Sequence, residues 1–344
     1  MILTIGWTVI HINNLMLRGP LSIYTGYSKL FRNFVRGLVK IKYPFELSPI
    51  SNLIPYNAEK DLKALITNSA INPTTGILFG YPIHINQLSN QNKIIYTMYE
   101  TTSIPHEWEE GVKRASGIFV PSEFCNAIFS KYNEHVTTVN PGIDTDIFNA
   151  NSERIQNSQF TIGACGVMSK RKGVDILVDA FIKAFPSNND VKLLIKTRDT
   201  RWLPPLVDSR VFIIPDDWTE ERLAKFYRSL DLFVNVSRGE GLSYPPLEAA
   251  CCGTLSLATR WSGPTEYIDD KNIFGIEITG LEPVPPKTME FADADHLWAT
   301  PSIDDLVDKL RFFYDNNRRI KIDNIYWSQV ESAKRLKKAI SQWN

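Results

Sequence analysis

Short apolar runs alternate along this chain with longer segments in which apolar residues recur every three or four positions. The runs that predict strands are Ile2–Ile12, Gly76–Gly80, Lys93–Met98, Gly117–Val120, Val136–Val139, Phe160–Gly166, Val191–Ile195, Val211–Ile214, Leu232–Val236 and Leu255–Ala258. The periodic segments that predict helices are Lys29–Ile41, Ala58–Ser69, His106–Arg114, Gly173–Phe185, Glu220–Ser229, Ile303–Tyr314 and Trp327–Trp343. Strands that alternate with helices are typical of a parallel sheet with helices packed on its faces. The pattern therefore predicts an α/β fold.

A segment rich in Pro, Gly, Asn and Ser, residues 141–158, divides this pattern into two sets. The chain has 344 residues, which is long enough for two domains with a core each. We therefore expect two Rossmann-like, doubly wound parallel-sheet domains, residues 1–148 and 158–324, that face a central cleft. Ligands bind such folds at the carboxyl ends of the strands.

The first predicted helix, Lys29–Ile41, is amphipathic and follows residues 13–28, which predict a loop. Thr25 or Ser28 is placed to cap it. Its polar face is cationic and carries Lys29, Arg32, Arg36, Lys40 and Lys42. Two interpretations stay open: a surface helix with solvated cations, or peripheral contact of Lys29–Lys42 with an anionic membrane.

The stretch Leu232–Gly253 combines a strand, a glycine turn and a helix start. Free amides and the positive end of the helix dipole make such a turn a pocket for anions. Glu240 lies in the turn and Glu248 in the following helix, eight positions apart. The turn departs from a dinucleotide-binding fingerprint because Tyr244 replaces the third glycine. Taken alone, the two acids also fit a solvated loop and helix.

A cationic loop follows the strand Phe160–Gly166 and contains Lys170, Arg171 and Lys172 before Gly173. Three cations at the start of a helix suit a diphosphate, because charge-assisted hydrogen bonds add to the helix dipole. A solvated charge run is the alternative. Both features occur at matching positions of one predicted domain, which favours a shared anion site.

Composition narrows the classes of partner and compartment. Lys and Arg together number 38, as do Asp and Glu, so the chain has no net positive charge that would attract nucleic acid or an anionic membrane. The four cysteines show no disulfide spacing, which favours reduced thiols and a cytoplasmic location, with the membrane periphery as the alternative. No stretch reaches the ~18 uncharged apolar residues that a membrane-spanning helix needs.

Residues 160–270 resemble the nucleotide-binding half of retaining glycosyltransferases with the GT-B fold, of the glycosyltransferase family 4 (group 1) type. Two motifs carry this resemblance. The first consists of Gly166, Lys172, Gly173, Leu177, Ala180 and Phe181; the second consists of Glu240, Gly241, Pro245, Leu247, Glu248, Ala249 and Gly253. Residues 325–344 resemble the family's C-terminal helix, which crosses back onto the N-terminal, acceptor-side domain.

The resemblance implies a nucleotide-diphosphate sugar as donor and a hydroxyl on a glycan, lipid or small molecule as acceptor. Lys172, with Arg171 or Lys170 as second cation, is then expected at the diphosphate, and Glu248 at the ribose. Gly241, Leu242 and Ser243 are expected to face the phosphate and the sugar, with Glu240 beside the sugar. The catalytic candidates are Glu240, Lys172 and Glu100.

Two departures from the family pattern matter. Val167 stands where an arginine is frequent, and the N-domain histidine has no counterpart, because the matching place holds Tyr99-Glu100-Thr101. Glu100 is therefore a candidate acceptor-side group. Further acceptor-side candidates are Gly26, Tyr27, Thr101 and His106.

No metal or other cofactor is expected. The five histidines lack ligand spacing, and Asp144-Thr145-Asp146 lies in the linker. The sequence thus predicts a hexosyltransferase-type, retaining, metal-independent enzyme. Two alternatives stay open: transfer to hydroxylated bases in DNA, which the neutral net charge disfavours, and an inactive sugar-nucleotide-binding module.

Overall fold

In the described part of the chain, two parallel sheets of six strands each form the centre of the protein. The computed structural model describes residues 14–21, 25–50, 62, 65, 73–152, 154, 156–201, 203, 205, 208–317 and 325–343. The predicted strand Ile2–Ile12 lies outside the described residues, as does the predicted helix Ala58–Ser69 apart from residues 62 and 65. The expected α/β fold with two Rossmann-like domains is confirmed.

The first sheet belongs to the N-terminal domain and has the order β2-β1-β3-β4-β5-β6. Its strands are β1 (Leu15–Gly19), β2 (Glu46–Pro49), β3 (Thr75–Phe79), β4 (Asn92–Tyr96), β5 (Gly117–Val120) and β6 (Val136–Thr138). The helices described with it are α1 (Gly26–Lys40), α2 (His106–Arg114) and α3 (Glu123–Phe129). Thr25 caps α1 by accepting a hydrogen bond from the Ser28 amide at 3.1 Å.

The second sheet has the order β12-β11-β10-β7-β8-β9. Its strands are β7 (Phe160–Cys165), β8 (Val191–Thr197), β9 (Val211–Pro215), β10 (Leu232–Asn235), β11 (Leu255–Thr259) and β12 (Ile273–Ile276). The helices are α4 (Val174–Ala184), α5 (Glu220–Ser229), α6 (Tyr244–Cys251) and α7 (Ile303–Asp315). Because β7 and β10 are neighbours, the loops that follow these two strands meet at the carboxyl edge of the sheet.

Several parts of the chain differ from the sequence prediction. β1 lies in residues predicted as a loop: the run is short and ends at Gly19-Pro20, but Leu15 and Leu17 alternate with partly exposed residues and enter the core. β2 and β12 were not predicted either. An antiparallel hairpin, β13 (Ile278–Pro283) and β14 (Leu297–Pro301), lies between β12 and α7 where no element was expected.

The C-terminal helix α8 (Gln329–Ile340) crosses back to the N-terminal domain. Ala333, Leu336 and Ile340 are buried in the same core as residues of α1 and β3. The crossing is close at Gly37 of α1, where an added Cβ would lie 2.2 Å from the carbonyl oxygen of Gln329. Separately, no helix in the described ranges has the length and apolarity to cross a membrane.

The Gly37 contact predicts that Gly37→Ala destabilises the protein. Alanine favours helix by about 1 kcal/mol, but overpacking against backbone typically costs 1–3 kcal/mol. We expect a net decrease of up to about 2 kcal/mol in the free energy of unfolding, measured by urea denaturation. Gly26→Ala is the matched control in the same helix, since nothing lies within 4 Å of its added Cβ. Equal stability of the two variants would contradict the close crossing.

Candidate active site

A cleft of about 530 Å³ lies between the two domains. Both domains contribute to its walls. The N-terminal side provides Gly26, Tyr27, Lys29, Tyr81, Met98 and Glu100; the C-terminal side provides Val167, Arg171, Lys172, Lys196, Arg198, Trp218, Glu240, Gly241, Leu242, Ser243 and Glu248, among others. The cleft is therefore lined by all the predicted donor-site residues except Lys170, the alternative second cation.

The glycine turn after β10 is packed tightly against the N-terminal domain. An added Cβ on Gly239 would lie 2.0 Å from the carbonyl oxygen of Glu100, and one on Gly241 would lie 2.7 Å from the Met98 side chain. Only glycine permits this approach. Ser243, which precedes α6, has a φ of 73°, a strained conformation for a residue with a side chain. Gly253, with a φ of 83°, follows the helix, where a left-handed glycine commonly ends one.

Glu240 is the centre of an ion cluster. Its side chain is 7% exposed, and Arg171 Nη1 lies 3.0 Å from Oε2 while Lys172 Nζ contacts Oε1. The Ser237 hydroxyl lies 2.6 Å from Oε1, and the Glu240 amide donates to Ser262 Oγ at 3.0 Å. Burial alone would raise the pKa of Glu240, but Lys172 and Arg171 lower it to about 2. The carboxylate is thus ionised at neutral pH.

Arg171 also links the two domains. Its Nη2 lies 3.8 Å from Oε1 of Glu100, and its Nη1 donates to the carbonyl oxygen of Gly239 at 2.5 Å. Burial raises the pKa of Glu100 above its ordinary value, with Arg171 opposing that shift. Two acids from opposite sides of the cleft therefore share one guanidinium, and the Glu100 side chain stays about a fifth exposed toward the cleft.

Glu248, at 1% exposure, is more deeply buried than Glu240. Tyr227 donates a hydrogen bond to Oε2 at 3.0 Å, and Lys29 of α1 forms an ion pair with Oε1. Burial raises the pKa of Glu248 even though Lys29 opposes the shift. The Lys29 ammonium also lies 4.5 Å from the ring centroid of Phe148. Its partnership with Glu248 crosses the cleft and had no signal in the sequence.

The cationic face of α1 is mostly buried against the C-terminal domain. Lys29, Arg32 and Arg36 lie 3.8, 3.3 and 3.6 Å from carboxylate oxygens of Glu220, and their side chains are 5–15% exposed. The expectation of solvated or membrane-binding cations is therefore wrong for these three residues. Their charges are neutralised by carboxylates that lie far away in the sequence, which the residue pattern of one helix cannot predict. Membrane contact through the remaining residues of Lys29–Lys42 stays a prediction.

The acceptor-side candidates separate into two groups. Gly26, Tyr27 and Glu100 line the cleft, and the Tyr27 hydroxyl donates to the carbonyl oxygen of Met98 at 3.2 Å. In the part of the chain that the structure describes, Thr101 and His106 do not line the cleft. Thr101 is buried beside His296, and His106 is exposed at the start of α2. The geometry removes the reason for assigning these two residues to an acceptor.

Several cleft residues were missed from the sequence. Trp218 follows β9 and is flanked by Arg222, 4.6 Å from its ring centroid, and by Lys196, 5.6 Å away. Its position just beyond the carboxyl end of a strand was the signal available.

Of the two residues offered as second cation, Arg171 lines the cleft, whereas the Lys170 carbonyl serves as an acceptor for Arg238.

Among the described residues, no group of three or more His, Cys, Asp or Glu side chains is arranged to hold a metal ion. Asp144, the first residue of the Asp-Thr-Asp sequence, is buried and lies 3.5 Å from Arg36 Nη1. Asp146 instead pairs with Lys40 at 2.9 Å. These two acids therefore connect the linker to α1, and metal-independence stays a prediction.

Comparisons with known proteins agree with this architecture. Residues 159–294 match the family model described as "Glycosyl transferases group 1". D-inositol 3-phosphate glycosyltransferase of Mycobacteroides abscessus is 26% identical over 175 residues, which are 46% of this chain and 38% of that protein. The chain thus matches well under half the length of this relative.

Two solved structures share the fold over nearly the whole chain. Sucrose-phosphate synthase from Thermosynechococcus elongatus superimposes with a TM-score of 0.62 at 12% identity, covering 96% of this chain and 94% of that one. Anabaena Alr3699/HepE in complex with UDP-glucose gives a TM-score of 0.59 at 11% identity, covering 95% and 99%. At these identities the likeness establishes the GT-B fold.

The Glu240 cluster predicts an acid-sensitive contribution to stability. Because the folded-state pKa of about 2 lies below the ordinary 4.5, this contribution is complete above pH 4.5 and is lost as the pH falls toward 2. Glu240→Gln should be less stable than the wild type at pH 7. The difference in the free energy of unfolding between the two proteins should narrow by about 2 kcal/mol from pH 5 to pH 3, measured by urea unfolding at each pH. A difference that does not change with pH would disprove the lowered pKa.

The buried pair of Lys29 and Glu248 predicts unequal effects of two lysine substitutions in α1. Lys29→Met leaves a buried carboxylate without its cation and should lower the free energy of unfolding by about 3 kcal/mol or more. Lys40→Met is the matched control, since Lys40 and Asp146 are 37% and 78% exposed, and should cost under about 1 kcal/mol. Similar losses in thermal and urea unfolding would refute the buried pair.

Proposed function

We propose that this chain, whose C-terminal domain belongs to the glycosyl transferases group 1 family, transfers a sugar from a nucleotide-diphosphate donor to an acceptor hydroxyl. The observation that carries the proposal is the cluster of Arg171, Lys172 and Glu240 in a cleft lined by both domains. The names of the similar proteins support it: one is a D-inositol 3-phosphate glycosyltransferase, and Anabaena HepE was solved with UDP-glucose.

In the proposed donor complex the diphosphate lies against Lys172 and Arg171. As the bond from the sugar to the phosphate breaks, negative charge develops on the phosphate oxygen, and preorganised cations stabilise that charge. Gly241, Leu242 and Ser243, at the start of α6, line the same part of the cleft. Glu248 with Tyr227 serves the ribose hydroxyls in this assignment, since a carboxylate that already has two partners retains further acceptor sites.

The proposed reaction retains the anomeric configuration. The bond between the sugar C1 and the phosphate oxygen breaks, the acceptor oxygen bonds to C1 from the same face, and the acceptor proton passes to the departing phosphate. The nucleoside diphosphate is released. Glu240 is suited to stabilise the positive charge that develops on the sugar, because its low pKa keeps it ionised.

Glu100 is the proposed acceptor-side group. It faces the cleft from the N-terminal domain, and Arg171 connects it to Glu240, which supports the assignment of Glu100 to the acceptor side of the sugar. Burial raises its pKa, so a neutral form able to donate a hydrogen bond becomes more accessible. We assign the neutralisation of phosphate charge to Arg171 and Lys172 rather than to a divalent cation, and we place the acceptor among hydroxylated glycans, lipids and small molecules.

The proposal predicts release of nucleoside diphosphate from at least one UDP-, GDP- or ADP-sugar in the presence of the chelator EDTA. Slow hydrolysis without an acceptor counts as turnover, and the anomer of the product is read by NMR. Arg171→Ala should lower the rate at least ten-fold, because one charged hydrogen bond is worth about 1.5–3 kcal/mol. Lys170→Ala is the matched control from the same loop and should retain the rate.

Three results would count against the proposal. Failure of every donor to turn over while nucleotides still bind would indicate an inactive binding module. Activity that EDTA abolishes would refute metal-independence. An inverted product would refute retention.

A further inference from the structure

The hairpin β13–β14 carries a connecting segment, residues 284–296, that we call the strap. It belongs to the C-terminal part of the chain but contacts the N-terminal domain. Residues Met289 and Phe291 of the strap pack against a hydrophobic cluster of that domain that contains Tyr99, Ile104 and Trp108. The strap thus spans from one domain to the other outside the helix and sheet layers.

The stem of the hairpin is attached to the turn that carries Glu240. The Ala299 amide of β14 donates to the carbonyl oxygen of Arg238 at 2.8 Å. The Arg238 side chain reaches Glu282 of β13 at 3.3 Å, and Glu282 also accepts a hydrogen bond from the Trp298 indole at 3.0 Å. Arg238 precedes Gly239 and Glu240 directly, so the stem position is coupled to the ion cluster.

The strap contacts the side chains of the two residues that flank Glu100. On one side, the Tyr99 hydroxyl donates to the carbonyl oxygen of Glu290 at 2.8 Å. On the other side, Thr101 Oγ1 lies 3.1 Å from His296 Nδ1. The His296 side chain is 1% exposed, so this contact is shielded from water.

A further pair of hydrogen bonds involves Thr102. Its amide donates to the carbonyl oxygen of Leu297, and its hydroxyl accepts from the Leu297 amide, both at 3.1 Å. Residues 99, 101 and 102 are therefore all fixed to the hairpin, whereas the Glu100 side chain points toward Arg171 in the cleft.

The strap also supports a wall of the cleft. Tyr81 lines the cleft, and its ring contacts Phe291 edge-on with centroids 5.5 Å apart. On its other side Tyr81 contacts Tyr27, another cleft residue, at 5.6 Å. A displacement of Phe291 would therefore be transmitted to two aromatic side chains that face the proposed acceptor.

We propose that the β13–β14 hairpin positions Glu100 and Tyr81 relative to Glu240, so that acceptor placement depends on contacts of the strap. The inference rests on the proposed function. Phe291 and Thr102 are positioning residues in this account, since neither lines the cleft among the described residues. We expect donor binding not to depend on the strap itself, because Lys172 and Glu248 pair with Glu240 and Lys29, which lie outside residues 284–296.

The test uses the full chain with Phe291→Ala, Thr102→Val, Thr102→Ser and Leu281→Ala. Thr102→Val removes the acceptor of the Leu297 amide, and Thr102→Ser keeps it. Leu281→Ala is the matched control for Phe291→Ala: Leu281 lies on the same hairpin and is 45% exposed. Hydrogen–deuterium exchange reports on residues 97–106, calorimetry on nucleotide affinity, and steady-state kinetics on acceptor use.

We expect faster exchange over residues 97–106 in Phe291→Ala and Thr102→Val, with unchanged nucleotide affinity. Their kcat/KM for the acceptor should fall about ten-fold or more, since misplacement of about 1 Å can cost 100-fold. Thr102→Ser and Leu281→Ala should resemble the wild type. Such a separation of acceptor use from donor binding would not follow from a general loss of stability.

Two results would overturn the inference: wild-type acceptor kinetics in both Phe291→Ala and Thr102→Val, or a parallel loss of nucleotide affinity. A wild type that turns over no donor is a failure of the proposed function. In that case hydrogen–deuterium exchange still tests whether the strap positions the Glu100 segment. Unchanged exchange of residues 97–106 in both variants would contradict that role, and faster exchange would support it.

Discussion

The buried carboxylate of Glu240 imposes the strongest constraint on the cleft. A charge that is nearly excluded from water must be paired and hydrogen-bonded, and Glu240 obtains its partners from the loop after β7, the neighbour of its own strand β10. Gly173, with a φ of 66°, turns that loop into α4, and Gly239 lets the Glu240 turn reach the backbone of Glu100. Glu240 therefore holds the two cations in place, which is the preorganisation that the proposed electrostatic catalysis needs.

A second set of charges joins the domains on the other side of the cleft. Glu220 forms ion pairs with Lys29, Arg32 and Arg36 of α1, and Lys29 also pairs with Glu248. Burial and charge act in opposite directions here: burial raises the pKa of Glu220, but the three cations lower it overall. Together with the strap, these contacts attach the C-terminal domain to α1 and to the Glu100 segment, so both Glu240 and Glu248 are connected to the N-terminal domain.

The sequence predicted most of the fold because buried parallel strands and amphipathic helices have strong periodic signals. The bounds of β5, α2 and α5 agree with the prediction to the residue. β1 and the β13–β14 hairpin were missed because their runs are short and interrupted by Gly or Pro. The motifs placed Arg171, Lys172, Glu240 and Glu248 in one cleft. The sequence could not predict the pairing of Lys29 with Glu248 or the hydrogen bonds of Thr102 to Leu297. Both join residues that are far apart in the chain and that meet only because the two domains pack together.

We propose that the loop after β7 binds the diphosphate of a nucleotide, and calorimetry of matched nucleotides tests this most directly. The affinity for a nucleoside diphosphate is compared with that for the corresponding monophosphate, for whichever of uridine, guanosine and adenosine binds the wild type. In Lys172→Ala the preference for the diphosphate should fall at least ten-fold, as expected for the loss of a charged hydrogen bond of about 1.5–3 kcal/mol. Lys170→Ala should keep the preference. An unchanged preference in Lys172→Ala would contradict the account.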